Sequence, residues 1–156
     1  MKKTNSVPIP TESAEQQALF RWAAWAQGKY PDLRWMFHVP NGGARDAVTG
    51  ARMQAEGVKK GVPDICLPTP RGEFSGLYIE MKRRSGGRVS GAQADWIAYL
   101  IAQGFCALEC RGFDEARRVI ENYMALPKPE QLGPEEMMRR YAKMISMRRE
   151  RNNATV

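Results

Sequence analysis

The chain has no apolar run near the roughly eighteen residues a bilayer-spanning helix needs, so no membrane role is expected. Its opening, MKKTNSVPIP, has two lysines but no apolar segment behind them, and does not read as a secretory signal. Cysteine is scarce: Cys66, Cys106 and Cys110 cannot all pair within one chain, and each sits in an apolar, strand-like run. Reduced thiols and a cytoplasmic setting, bacterial or in a phage-infected host, are the expectation. The single histidine, His38, makes no recognised zinc spacing with the cysteines. On its apolar stretch it reads as a satisfied core residue. Internal repeats and low-complexity tracts are also missing, which leaves an ordinary globular fold.

What the chain does have is positive charge. Lysine and arginine number 24 against 17 acids, for a net charge of +7. That balance favours a polyanionic partner, most often nucleic acid. The charge falls in clusters at Lys59/Lys60, at Lys82/Arg83/Arg84/Arg88, and from Arg139/Arg140 to Arg151.

Periodicity lays out the elements. Leu19, Trp22, Ala23 and Ala26 mark one face of a helix over 11–27, started by Thr11 or by Ser13 with Gln16 in a capping box, and ended by Gly28 and Pro31. RWMFHV (34–39) reads as a strand, PNGG (40–43) as a turn, and 46–57 as a short helix. DICL (64–67) and GLYIEMK (76–82) read as strands around a turn-rich gap. Ser90 and Gln93 form a second capping box, opening a helix with Trp96, Ile97, Leu100 and Ile101 inward until Gly104 stops it. FCALEC (105–110) is a strand, and 113–125 a helix. The prolines of LPKPEQLGPEE precede a basic, methionine-rich helix expected to dock on the core or on a partner subunit. The order gives an α/β domain over 10–126, with a mixed sheet flanked by helices, followed by a linker and helical tail over 127–156.

The chemistry lies in GVPDICLPTPRGEFSGLYIEMKRR (61–84). Side chains alternate across a strand, so Leu77, Ile79 and Met81 share one face while Tyr78, Glu80 and Lys82 share the other. Charges on a helix-covered face are costly unless they are paired or bound to a metal. Asp64 opens the preceding strand, and if the two strands pair its carboxylate approaches that of Glu80. Converging carboxylates suit a hard cation such as Mg²⁺, which binds through one or two carboxylates, waters and a substrate phosphate. A lysine beside them can orient or help deprotonate water and stabilise charge on phosphorus. Those are the parts of a phosphodiester hydrolase.

Pro63-Asp64 with Glu80-Met81-Lys82 resembles the PD-(D/E)XK nucleases. The blocks HVPNGGARD, ARMQAEGVKKGVPDICLP, GLYIEMKRR and SGAQADWIAYLIAQGF, in that order, resemble the VRR-NUC (virus-type replication-repair nuclease) family in its small stand-alone form. The resemblance implies a restriction-endonuclease-like αβββαβ core. It implies Asp64, Glu80 and the main-chain carbonyl of Met81 as ligands of Mg²⁺, with Mn²⁺ as a substitute, and Lys82 as the catalytic lysine. It implies a further glutamate from the first helix, Glu12 or Glu15, of which Glu12 with Gln16 fits the spacing better. Gln93 matches a glutamine beyond the lysine strand, able to touch water or phosphate, or serving only as the capping partner of Ser90.

Lys59 and Lys60, just ahead of the acidic motif, are expected phosphate contacts, as are Arg83, Arg84 and Arg88 after it. Asn41 and Arg52 complete the expected DNA-binding set. The expected function is a metal-dependent DNA endonuclease acting on structured or branched DNA, the Holliday junction foremost, with no small-molecule cofactor. The alternative is a nucleic-acid-binding accessory with a lapsed nuclease site. A homodimer would match a four-way junction's two-fold symmetry.

Overall fold

A computed structural model of the chain describes the backbone of residues 9–40, 47–130 and 132–153, with side chains except at 47 and 144–153. Helix α1 (Glu12–Ala26) starts at Thr11, whose hydroxyl accepts the Ala14 N–H at 3.1 Å. Thr11 therefore takes the capping role, and Ser13 lies inside the first turn, where its hydroxyl accepts from the Gln17 side chain. Starting there also places Glu12 and Glu15 in the first turn, where negative charge suits the helix dipole. Leu19, Ala23 and Ala26 are buried along one face.

The strand expected over 34–39 is shorter than its apolar run. Pro31, with its fixed φ, opens a 3-10 helix over Pro31–Trp35, leaving only Phe37–His38 as strand β1. Because β1 is the edge strand, Phe37 and His38 are exposed, and His38 is not the core residue expected of it. Helix α2 spans Ala47–Ala55, strand β2 Ile65–Leu67 and strand β3 Leu77–Lys82. Helix α3 (Gly91–Ala102) carries β3 over to the parallel strand β4 (Cys106–Arg111). Helices α4 (Gly112–Ala125) and α5 (Pro134–Asn153) follow.

The four strands stand in the order β1-β2-β3-β4, antiparallel up to β3 and parallel between β3 and β4. The expected αβββαβ order is present, with α2 between the first and second strands. Helices α1 and α4 pack on each other and on β3, where Leu19, Ile79, Met81, Cys110, Ala116 and Ile120 form the centre of the core. Each of the large side chains among them, Leu19, Ile79, Met81 and Ile120, contributes about 1.5–3 kcal/mol relative to exposure. All three cysteines are free thiols. Helix α3 packs against β4, but less completely than its apolar pattern predicts: Ile101 is exposed while Leu100 is buried.

The proposed domain limit at 126/127 falls just after α4, where the Pro127 carbonyl accepts the Gly72 N–H at 2.8 Å. On α5, Met137, Met138 and Tyr141 are exposed, so the expected docking on the core is not made through them. Met144, Ile145 and Met147 lie outside the described side chains. Among the described residues no helix is long and apolar enough to cross a membrane.

Candidate active site

The antiparallel register of β2 and β3 pairs Ile65 with Ile79, and one step further along places Asp64 across from Glu80. Asp64 is held there: its Oδ2 accepts the Met81 N–H at 2.9 Å. Glu80 is 2% exposed and Lys82 6%, so the two charges that follow the core alternation are both buried. The Lys82 ammonium donates to Glu80 Oε1 at 2.9 Å and to Gln93 Oε1 at 3.2 Å.

Gln93 fills both roles open to it. Its Oε1 accepts the Ser90 N–H at 2.8 Å and its own N–H reaches the Ser90 hydroxyl at 3.4 Å, closing the capping box at the start of α3. A backbone N–H can only donate, so that contact fixes which end of the amide is oxygen. Nε2 is then left to donate to Glu80 Oε1, as it does. One helix cap thus orients both members of the charged pair.

The second oxygen of Glu80, Oε2, is buried without a hydrogen-bond partner among the described residues. Leaving such an atom unpaired costs about 1–3 kcal/mol, more for a charged group. Burial pushes the Glu80 carboxyl up to about 7; the neighbouring Asp64 charge raises it as well, against the pull of Lys82. Burial likewise raises Asp64, with Glu12 adding to the effect and the Met81 N–H, Lys82 and His38 opposing it. Two facing carboxyls, hard oxygen donors and one orphaned buried oxygen fit a divalent cation of the Mg²⁺ class. Asp64 engages Met81 through the amide N–H.

The first-helix glutamates divide. Glu12 Oε1 accepts the Arg83 N–H at 3.2 Å, at the end of β3, and its charge is felt by Asp64. Glu15 is 3% exposed and turned elsewhere, accepting from Arg84 Nε at 2.6 Å and from the Phe113 N–H at 2.8 Å. Arg84, one of the expected DNA contacts, bridges Glu15 and, at 3.2 Å, Asp114. Arg52 pairs with Glu56 on the surface of α2 at 3.6 Å, while Lys59, Lys60, Arg83 and Arg88 are exposed. Asn41 lies outside the described residues.

Two neighbours of the site escaped the sequence reading. His38 Nδ1 lies 2.8 Å from the Asp64 carbonyl oxygen, which can only accept, so the proton sits on Nδ1. The signal for it was the edge pairing of His38 with Ile65, invisible without register. On β4, Glu109 and Arg111 stand beside Glu80 and Lys82 in parallel register, ion-paired at 3.1 Å. Their spacing in LECR repeats that in IEMK, which was available to read. Arg111 also donates to the Gly87 carbonyl at 3.1 Å and so ties down the basic turn after β3.

A sequence profile described as the VRR-NUC domain matches residues 11–114. Among solved structures, a chain described as a VRR_NUC domain protein superposes with a TM-score of 0.68 at 28% identity, covering 81% of this chain and 100% of that one. No curated protein matches.

Proposed function

The chain belongs to the VRR-NUC domain family, a nuclease-type fold acting on DNA, and from that premise we propose that it is a divalent-cation-dependent endonuclease for structured or branched DNA. The observation that carries the proposal is the buried Glu80 Oε2, unpartnered among the described residues and set across from Asp64 beside a buried lysine. Asp64, Glu80, the Met81 carbonyl and Glu12 would hold Mg²⁺, or Mn²⁺ in its place. When bound, the cation supplies positive charge for phosphate oxygens and lowers the pKa of water.

The chain's own groups do the rest. Asp64 is fixed by the Met81 amide, so the carboxylate pair cannot splay. Lys82 is held by Glu80 and Gln93, and it carries three N–H donors in all, so one remains to orient water or take charge from a phosphate oxygen. Lys59, Lys60, Arg83 and Arg88 are exposed around this site and take the flanking backbone phosphates. The intact Asp64, Glu80 and Lys82 constellation weighs against an accessory whose nuclease site has lapsed.

A four-way junction is the proposed preferred substrate, cut by a homodimer whose two sites match the two strands. Trp25, at 83% exposure, and the exposed Trp35 and Phe37 offer apolar surface for self-association. The test is cleavage of duplex, single strand, flap, fork and four-way junction side by side, with light scattering on the same protein. Junction cleavage in paired nicks by a species of twice the 17.6 kDa chain mass is expected. Preference for plain duplex, or only the single-chain mass with and without junction DNA, would overturn this part of the proposal.

A further inference from the structure

Beyond Gln93 on α3, Asp95, Trp96 and Tyr99 line a cleft of about 330 Å³. The two rings meet edge to face, with centroids 6.0 Å apart and planes at 88°. Trp96 is fixed in place, since its indole N–H donates to the Lys60 carbonyl at 3.1 Å. The loop it grips lies hard against α3. At Gly61, where φ is +88°, an added Cβ would come within 2.7 Å of the Ala92 backbone. Tyr99, by contrast, is 57% exposed, more than a structural aromatic on a packed helix needs.

The cleft adjoins both halves of the carboxylate site. Gln93, which bonds Glu80 and Lys82, lies three residues before Trp96, about 4.5 Å along the helix axis. Lys60 is four residues before Asp64, at most roughly 14 Å along an extended chain. Lys59 and Lys60 are exposed on that loop, so positive charge flanks an aromatic surface within a few nucleotides' reach of the site.

We propose that this cleft receives one unpaired base of the DNA strand next to the phosphate being cut. The exposed face of Tyr99 supplies the stacking surface, Trp96, edge to face with it, fixes the ring's orientation, Lys59 and Lys60 take the backbone phosphates, and the Asp95 carboxylate accepts an N–H from the base edge. A base inside a duplex has both faces covered by its neighbours and its edge engaged in pairing, so only an unpaired base fits. A carboxylate is an acceptor only, and every unpaired base offers an N–H on the edge freed from pairing, so Asp95 orients the base without selecting among bases. The proposal rests on the nuclease reading and narrows its substrate to DNA with unpaired nucleotides at the branch.

The test is fluorescence anisotropy of the full chain in EDTA, with oligo-dC and a paired duplex of equal length. Tyr99→Ala removes an exposed ring, and unchanged circular dichroism melts will show the fold intact. The ratio of oligo-dC to duplex affinity should fall roughly tenfold or more in Tyr99→Ala. Tyr99→Ala weakening both DNA forms alike, or neither, would overturn the stacking site. Cleavage assayed separately with Mg²⁺ keeps the two readings apart: binding without cutting by the wild-type chain would count against the nuclease and leave the stacking result standing.

Discussion

Glu80→Gln is expected to lower DNA cleavage by roughly a thousand-fold or more, while the protein folds normally and binds DNA at least as tightly. Gln keeps the shape of the side chain and can still accept from Lys82 and pair with Gln93, so the surrounding hydrogen bonds have a replacement. What it loses is the negative charge and the second carboxylate oxygen, buried without a hydrogen-bond partner among the described residues. The amide has no charge of its own to bury, but it leaves the buried Lys82 ammonium without its carboxylate partner, so the fold should be kept with a lower melting temperature. Removing one negative charge near a phosphate path should also leave affinity equal or higher. Asp64→Asn should behave alike, and Lys82→Ala should lose cleavage yet retain cation binding. Cleavage assays paired with anisotropy and thermal melts check all of this; a Glu80→Gln variant keeping most of its rate would remove Glu80 from the chemistry.

Arg84→Ala is expected to act on stability instead. Arg84 meets the buried Glu15 through Nε at 2.6 Å and a second guanidinium nitrogen at 3.3 Å, and so joins α1 to the end of β3 and to α4. Gly112 makes room for the pair: with φ at +77°, a Cβ there would sit 2.7 Å from Arg84 Cγ and 3.2 Å from Glu15 Oε1. Without Arg84, Glu15 keeps only the Phe113 N–H as partner among the described residues. Removing one partner of the pair strands a buried carboxylate, while Arg84's half-exposed side chain lets water screen part of the loss. A measurable fall in Tm is therefore expected in thermal melts of Arg84→Ala.

The pH dependence has a definite sign. The Arg84 hydrogen bond holds the Glu15 carboxyl below its ordinary 4.5, despite burial. Its contribution is therefore present above that ordinary value and is lost as pH falls through the lower folded value. Melts of wild type and Arg84→Ala should differ most at neutral pH and converge on acidification below the ordinary glutamate range. A gap that stayed constant on acidification would show that the loss is one of packing alone.

Much of this site was legible because strand physics has a short period. Alternation in LYIEMK put Glu80 and Lys82 on one face before any register was known, and the spacing of Ser90 and Gln93 marked the start of α3. What escaped depends on contacts far apart in sequence. Glu12 and Glu15 are one helical turn apart and equally acidic; only the packing of α1 on α4 sends Glu15 to Phe113 and Arg84, 98 and 69 residues away. Arg84 reads as part of a basic cluster until that pairing is seen. The strand expected over 34–39 was lost to Pro31, whose effect on the next turn outweighs the apolar run behind it. His38 was misplaced because an edge strand of two residues leaves its side chains exposed however apolar their neighbours are.

The most direct measurement is the cleavage of a four-way junction by the full wild-type chain in Mg²⁺ and, in parallel, in EDTA, with Glu80→Gln run under both conditions. Cleavage by the wild-type chain in Mg²⁺ alone, and by the variant in neither, is the expected result. Equal cleavage by wild type in EDTA, or by Glu80→Gln in Mg²⁺, would contradict a cation held between Asp64 and Glu80.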